Sequence, residues 1–159
     1  MPLNMKTLII GLGNPILGDD GVGWMVAQQV AQKIGGVPCI EVDCLSVGGL
    51  SLMERMTGFE RVILIDSIYT GQHPVGTITT FLLGALPDLS AGHTTAAHDT
   101  SLRTALNVGR SMNILLPDDD NVQVVAIEAE NVYDFSEELS SPVAAAVPQA
   151  AATVIKLLA

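Results

Sequence analysis

Short apolar runs without alternating polar residues constrain the fold of this chain most strongly. One is Thr7–Ile10, and another lies within Arg61–Asp66. Strands of this kind are buried on both faces of a sheet, as in parallel sheets covered by helices. Between these runs, apolar residues recur at helical spacing, at Val22, Met25, Val26 and Val30. Strands that alternate with helices predict an α/β fold with a mostly parallel sheet.

The rest of the chain divides into similar elements. Further strands are predicted at Cys39–Val42, Gly76–Leu83 and Asn121–Ile127, and helices at Val47–Met56, at Asp99–Val108 and from Ser141 onward. We predict a single three-layer α/β domain over residues 1–159. Its twisted, mostly parallel sheet has five strands, with helices on both faces. The direction of the fourth strand is left open.

Composition excludes several classes of protein. Of 159 residues, 48% are hydrophobic and 15% are charged, which excludes a disordered tail and a coiled coil. The net charge of −10 argues against a nucleic-acid partner, because phosphate binding needs clustered Lys and Arg. The acids concentrate in residues 111–159, which hold 8 acidic residues and 1 basic residue. Such a surface accepts cationic peptides or metal ions.

The chain also lacks the sequence signals of secretion and of membrane insertion. Its first residues contain no apolar signal-peptide core. The longest apolar stretch, Val143–Ala159, is interrupted by Pro148, Gln149 and Lys156, so we interpret it as a buried helix rather than a membrane span. We therefore expect a cytoplasmic protein with no membrane partner. The sequence makes no prediction of its oligomeric state.

Candidate functional residues follow the carboxyl ends of the predicted strands, where α/β sheets bind their ligands. Asp19 and Asp20 follow the first strand, Asp66 ends the third, and His98 precedes a predicted helix. Either Asp19 or Asp20 is expected to cap the first helix, which leaves the other free for chemistry. Two carboxylates and one imidazole suit a borderline divalent metal. The structural alternatives are a helix cap for Asp19 or Asp20, a cap of the following turn for Asp66 and a purely structural role for His98.

Two other kinds of site are poorly supported. The loop Gly11–Gly23 resembles a dinucleotide fingerprint, but Ile16 occupies the position of the third glycine. The chain contains no Gly-x-Ser-x-Gly elbow, and neither Cys39 nor Cys44 lies in a pattern typical of a catalytic nucleophile.

Taken together, these motifs resemble those of the NiFe hydrogenase maturation endopeptidases. The resemblance rests on four segments in order, which are Leu8–Gly23, Ile63–Asp66, Ala97-His98 and Ile127–Asn131 leading to Leu139–Val143. It implies a twisted sheet sandwiched by helices. It also implies an endopeptidase that removes a C-terminal peptide from the large-subunit precursor of a NiFe hydrogenase after nickel insertion.

The resemblance also implies roles for particular residues. Asp20, Asp66 and His98 are expected to contact the nickel, which is carried by the substrate and is not a permanent cofactor. Asp20 or Asp66 is expected to assist the hydrolysis, although many relatives have Glu at the position of Asp20. Gly48 and Gly49 fall in a loop close to the cleft of this family and are the candidate substrate-binding residues.

Other functions remain open from sequence. The run Gly11–Pro15 also resembles the start of the bacterial peptidyl-tRNA hydrolases, but their catalytic histidine segment does not follow it here. A non-catalytic, nickel-dependent binding or chaperone module for a hydrogenase subunit would use the same site. A related aminopeptidase-like or spore-protease-like peptidase is a third alternative.

Overall fold

The computed structural model describes residues 4–85 and 94–159, and for residues 94–101 it describes the backbone alone. The described strands are β1 (Thr7–Leu12), β2 (Ile40–Leu45), β3 (Arg61–Ile68), β4 (Ile78–Leu82) and β5 (Val122–Glu128). The described α-helices are α1 (Val22–Ile34), α2 (Gly49–Met56), α3 (Thr94–Ser111) and α4 (Ser141–Leu158). Short 3-10 helices lie at Gly18–Gly21, Leu83–Ala85 and Asp119–Asn121.

These strands form one sheet in the order β2-β1-β3-β5-β4. Neighbouring strands are parallel, except that β4 runs antiparallel to β5 at the edge. The predicted five-stranded, mostly parallel sheet is therefore confirmed, and the direction left open for the fourth strand is antiparallel.

Helices cover both faces of the sheet. Alternate residues of the central strands point to opposite faces, so Ile9, Ile63 and Val125 pack with α1 and α4. Their neighbours Leu8 and Leu64 pack with α2 and α3 on the other face. This arrangement confirms the predicted three layers and explains why β1 and β3 are apolar throughout.

The strand order reverses direction at β1, which lies between β2 and β3. In α/β sheets such a reversal opens a crevice at the carboxyl ends of two neighbouring strands, here β1 and β3. Helix α1 can begin directly over this crevice because it has a glycine at its second position. A Cβ atom on Gly23 would lie 2.4 Å from the carbonyl oxygen of Leu12 and 2.5 Å from that of Ile65. Only a residue without a side chain lets the helix approach both strands so closely.

Helix α3 differs from its prediction. It begins at Thr94 rather than at Asp99, so His98 lies inside the helix and does not precede it. The segment before Asp99 includes Ala96 and Ala97, and alanine has the highest helix propensity. These two residues explain why the helix extends toward its N-terminus.

Among the described helices, α4 is long and apolar enough to cross a membrane by length and composition alone. It is the helix that the sequence predicted to be buried. Val143, Val147 and Val154 pack against the sheet, and Pro148 lies within it. Core helices of soluble proteins meet the same length and composition criteria, so this helix is weak evidence for a membrane span.

The close approach at Gly23 predicts a stability effect. Gly23→Ala should lower the free energy of unfolding by about 1–3 kcal/mol or more, because the new methyl group meets two backbone carbonyls that cannot move independently. Urea denaturation measures the effect. Gly36→Ala is the matched control, since no described atom lies within 4 Å of a Cβ there, and it should change stability by about 0.5 kcal/mol or less. Equal effects in the two variants would contradict this account.

Candidate functional site

Asp20 lies at the crevice in the 3-10 helix that follows β1, and its side chain is half-buried. The backbone N–H of Asn14 donates to its Oδ2 at 2.8 Å. The hydroxyl of Ser67 donates to its Oδ1 at 3.1 Å. The loop doubles back at Gly13, which has φ +137° and whose Cβ would overlap the carbonyl oxygen of Asp20. The local fold therefore holds the Asp20 carboxylate against β3.

Asp66 lies near the carboxyl end of β3 and is 5% exposed. The backbone N–H of Ser67 donates to its Oδ1 at 2.8 Å. Asp66 lies two residues from both Leu64 and Ile68 in β3, so its side chain points to the same face of the sheet as theirs, toward α2 and α3. Ser67 thus hydrogen-bonds to both acidic residues, to Asp20 through its hydroxyl and to Asp66 through its backbone. Both predicted residues therefore lie at the carboxyl end of β3, with Asp66 directed toward α2 and α3 and Asp20 bonded to the oppositely directed side chain of Ser67.

His98 belongs to α3, on the same side of the sheet as Asp66. It lies one helical turn before Leu102, which is fully buried in that layer. The side chain of His98 is outside the described part of the structure. Among the side chains that are described, no three from His, Cys, Asp and Glu lie close enough to hold a metal ion. The predicted metal contacts of Asp20, Asp66 and His98 therefore stay a prediction.

Gly48 is the last residue of the loop that follows β2, and Gly49 is the first residue of α2. This loop contacts the Asp20 loop, because the hydroxyl of Ser46 donates to the carbonyl of Gly13 and the N–H of Gly13 donates to the carbonyl of Leu45. Gly49 has φ +53°, and no described atom lies within 4 Å of a Cβ on Gly48. Their substrate-binding role stays a prediction. Both glycines lie at the carboxyl ends of the parallel strands, as the two acids do.

Sequence analysis missed the role of Asp19, which is fully buried. Among the described residues no side chain caps α1, so the predicted helix cap is wrong for both acids. The Asp19 carboxylate instead accepts four hydrogen bonds from the segment between β5 and α4. The donors are the N–H groups of Glu130 and Asn131 at 3.1 Å, and the N–H and hydroxyl of Ser140 at 2.7 and 2.8 Å. The sequence signal for this role was the pair of motifs Ile127–Asn131 and Leu139–Val143, which contain the three residues that supply these donors.

Sequence analysis also missed Glu128, a 1% exposed residue at the end of β5. Its carboxylate accepts hydrogen bonds from the N–H and the hydroxyl of Thr70 and from the N–H of Gly71. These bonds fix the turn that leaves β3 four residues after Asp66. Glu128 therefore positions the backbone of the site.

Cys44 has the opposite properties to a catalytic nucleophile. Partial burial, and then the charge of neighbouring Asp43, raises the pKa of the Cys44 thiol. A thiol with a raised pKa stays protonated at neutral pH and is a weak nucleophile. This agrees with the sequence, which offered no setting for cysteine catalysis.

Comparison with known proteins identifies the family. The model of the hydrogenase maturation protease family matches residues 40–157. The chain belongs to the hydrogenase maturation protease family. The family resemblance and the peptide-hydrolase activity predicted from the motifs are therefore confirmed.

Individual relatives agree with this assignment. The chain is 20% identical over 153 residues to the hydrogenase expression/formation protein HupD of Rhizobium leguminosarum bv. viciae, covering 96% of this chain and 74% of HupD. It is similar in fold to the maturating endopeptidase HybD of E. coli, with a TM-score of 0.75, 20% identity and coverage of 97% and 92% of the two chains. It is also similar to the NiFe hydrogenase maturation protease HybD of Thermococcus kodakarensis, with a TM-score of 0.70, 26% identity and coverage of 96% and 99%.

The bonds of Asp19 predict a large stability effect in this maturation protease. Asp19→Ala should lower the free energy of unfolding by at least about 3 kcal/mol, because it leaves several buried donors without an acceptor. Asp134→Ala, an exposed acid in the same segment, should change it by about 0.5 kcal/mol or less. Chemical denaturation compares the two, and similar values for both would contradict the structural role of Asp19.

Proposed function

We propose that this maturation protease removes a C-terminal peptide from the large-subunit precursor of a NiFe hydrogenase and recognises the nickel already inserted in that precursor. The observation that carries the proposal is that Asp20 and Asp66 both accept hydrogen bonds from Ser67, at the crevice between β1 and β3. Acidic side chains at a strand-order reversal are where an α/β sheet binds a ligand.

The donor chemistry supports nickel as the recognised part of the substrate. Two carboxylates and an imidazole supply oxygen and nitrogen ligands, which suit borderline divalent ions of the first transition series. Asp66 faces the layer that includes the helix of His98. The ion arrives with the precursor, so Asp20, Asp66 and His98 read the state of the substrate and do not build a resident metal centre.

The two acids are suited to different tasks. Asp66 is almost fully buried and is oriented by the N–H of Ser67, which suits an orienting ligand. Asp20 is half-exposed and its position is fixed by two hydrogen bonds, which suits a group that must meet water. In the proposed hydrolysis Asp20 accepts a proton from the attacking water, the scissile carbonyl is polarised by the substrate's nickel, and the proton passes to the leaving amine.

Substitutions at the crevice test the proposal. Asp66→Ala and His98→Ala should each lower the processing rate of nickel-loaded precursor by about a hundredfold or more, because each removes a contact to the substrate's metal. The mass of the large subunit before and after incubation measures the processing. Unfolding curves and circular dichroism should stay close to those of the wild type.

Matched controls are available at exposed positions. His73→Ala and Asp118→Ala change the same residue types outside the crevice and should process the precursor at the wild-type rate. Full activity in Asp66→Ala or His98→Ala would overturn the assignment. A stable wild-type complex with no change of mass would instead indicate a binding or chaperone module.

A further inference from the structure

The segment of residues 130–138 between β5 and α4, here called the aromatic–acidic loop, exposes large apolar side chains to solvent. Phe135 is 84% exposed and Tyr133 is 66% exposed. The loop also contains four exposed acids and no Lys or Arg, with Glu130, Asp134, Glu137 and Glu138 as the acids. Neither property is used by the proposed hydrolysis.

This exposure does not come from a loosely held backbone. Asp19 accepts hydrogen bonds at the beginning of the loop, from Glu130 and Asn131, and just beyond its end, from Ser140. In its middle, the carbonyl of Ser136 accepts from Gly18 at 2.7 Å, and its N–H donates to Ile16 at 2.9 Å. A backbone fixed before binding lowers the entropy cost of presenting these aromatic side chains to a partner.

The exposed surface continues from the loop to the crevice. The ring of Tyr133 packs edge-to-face with that of Tyr69, with centroids 6.2 Å apart. Tyr69 is 42% exposed and follows Asp66 by three residues. Ile16, hydrogen-bonded to Ser136, is 46% exposed and lies in the loop that contains Asp20. A protein bound at the crevice would therefore also meet these side chains.

We propose that the aromatic–acidic loop is the docking surface for the folded body of the precursor, and that it contacts an apolar surface of that protein rimmed by Lys and Arg. The inference rests on the proposed function, because it takes the precursor as the partner. Exposed aromatic residues in a fixed position are typical of interface hot spots. The acids complement a basic surface and accelerate encounter with it.

Removing the aromatic side chain tests the apolar part of the interface. Phe135→Ala should raise KM for nickel-loaded precursor at least about tenfold and leave kcat within about twofold, because it removes a docking contact and no group of the proposed hydrolysis. Leu115→Ala is the matched control. Leu115 is 70% exposed. Its carbonyl accepts a hydrogen bond from the N–H of Gly58, which precedes β3 and so lies at the amino ends of the parallel strands, away from the crevice. It should leave both constants unchanged.

Neutralising the acids tests the charge of the partner. The triple variant Asp134→Asn, Glu137→Gln, Glu138→Gln should raise KM at about 0.05 M salt and approach the wild type at about 0.5 M, where charges are screened. The triple variant Glu54→Gln, Asp118→Asn, Asp120→Asn removes as many exposed acids outside the loop and should follow the wild type at both salt concentrations.

Direct binding separates this inference from the proposed function. The dissociation constant for the precursor is measured by calorimetry in an Asp66→Asn background, with and without Phe135→Ala. Weaker binding with Phe135→Ala supports the docking surface even if the wild type cleaves nothing, which would overturn the proposed function alone. Unchanged binding and unchanged KM overturn the docking surface. A wild-type dimer that Phe135→Ala makes monomeric, with KM unchanged, would assign the loop to a second copy of this chain and also overturn it.

Discussion

The site and the loop beside it both depend on the burial of one carboxylate, that of Asp19. A charge removed from water is tolerated only when hydrogen bonds replace its hydration, and here four donors between Glu130 and Ser140 do so. These bonds join two loops that are more than a hundred residues apart in sequence. They fix the position of Asp20, the next residue, and the backbone of residues 130–138. The Asp19 carboxylate therefore joins the Asp20 loop to the segment of the exposed aromatics, beside the backbone hydrogen bonds between Ser136 and the residues Ile16 and Gly18.

The second constraint is the close approach of α1 to the sheet. Gly23 lets the helix start directly over the ends of β1 and β3, and Gly13 lets the preceding loop turn back toward Asp20. The loop therefore lies close enough to the sheet for Ser67 of β3 to hydrogen-bond to Asp20. Glu128, at the end of the neighbouring strand β5, fixes the turn after β3. These three acidic residues thus take two roles, because Asp19 and Glu128 hold the backbone of neighbouring segments while Asp20 is partly exposed to solvent.

Much of this was predictable from sequence, because its physical causes are local. Apolar runs and helical spacing predicted the strands and the layers. They also predicted the carboxyl ends of the strands as the place where Asp20 and Asp66 lie. The features that differ from the prediction, or that the prediction left open, have several causes. The partners of Asp19 lie more than a hundred residues away, so its sequence neighbours favoured a helix cap. Helix α3 begins before the predicted Asp99 for a local reason, because the two alanines ahead of Asp99 favour helix. The direction of β4 depends on its pairing with β5, which no residue within β4 encodes.

Processing of the large-subunit precursor by the wild-type protein, with and without nickel, tests the central claim most directly. Precursor loaded with nickel and precursor prepared free of nickel are incubated with the protease, and the mass of each large subunit is determined. The account predicts loss of a C-terminal peptide from the loaded precursor and an unchanged mass for the nickel-free one. Equal cleavage of both would contradict recognition of nickel by the Asp20 and Asp66 crevice, and cleavage of neither would contradict the proposed function.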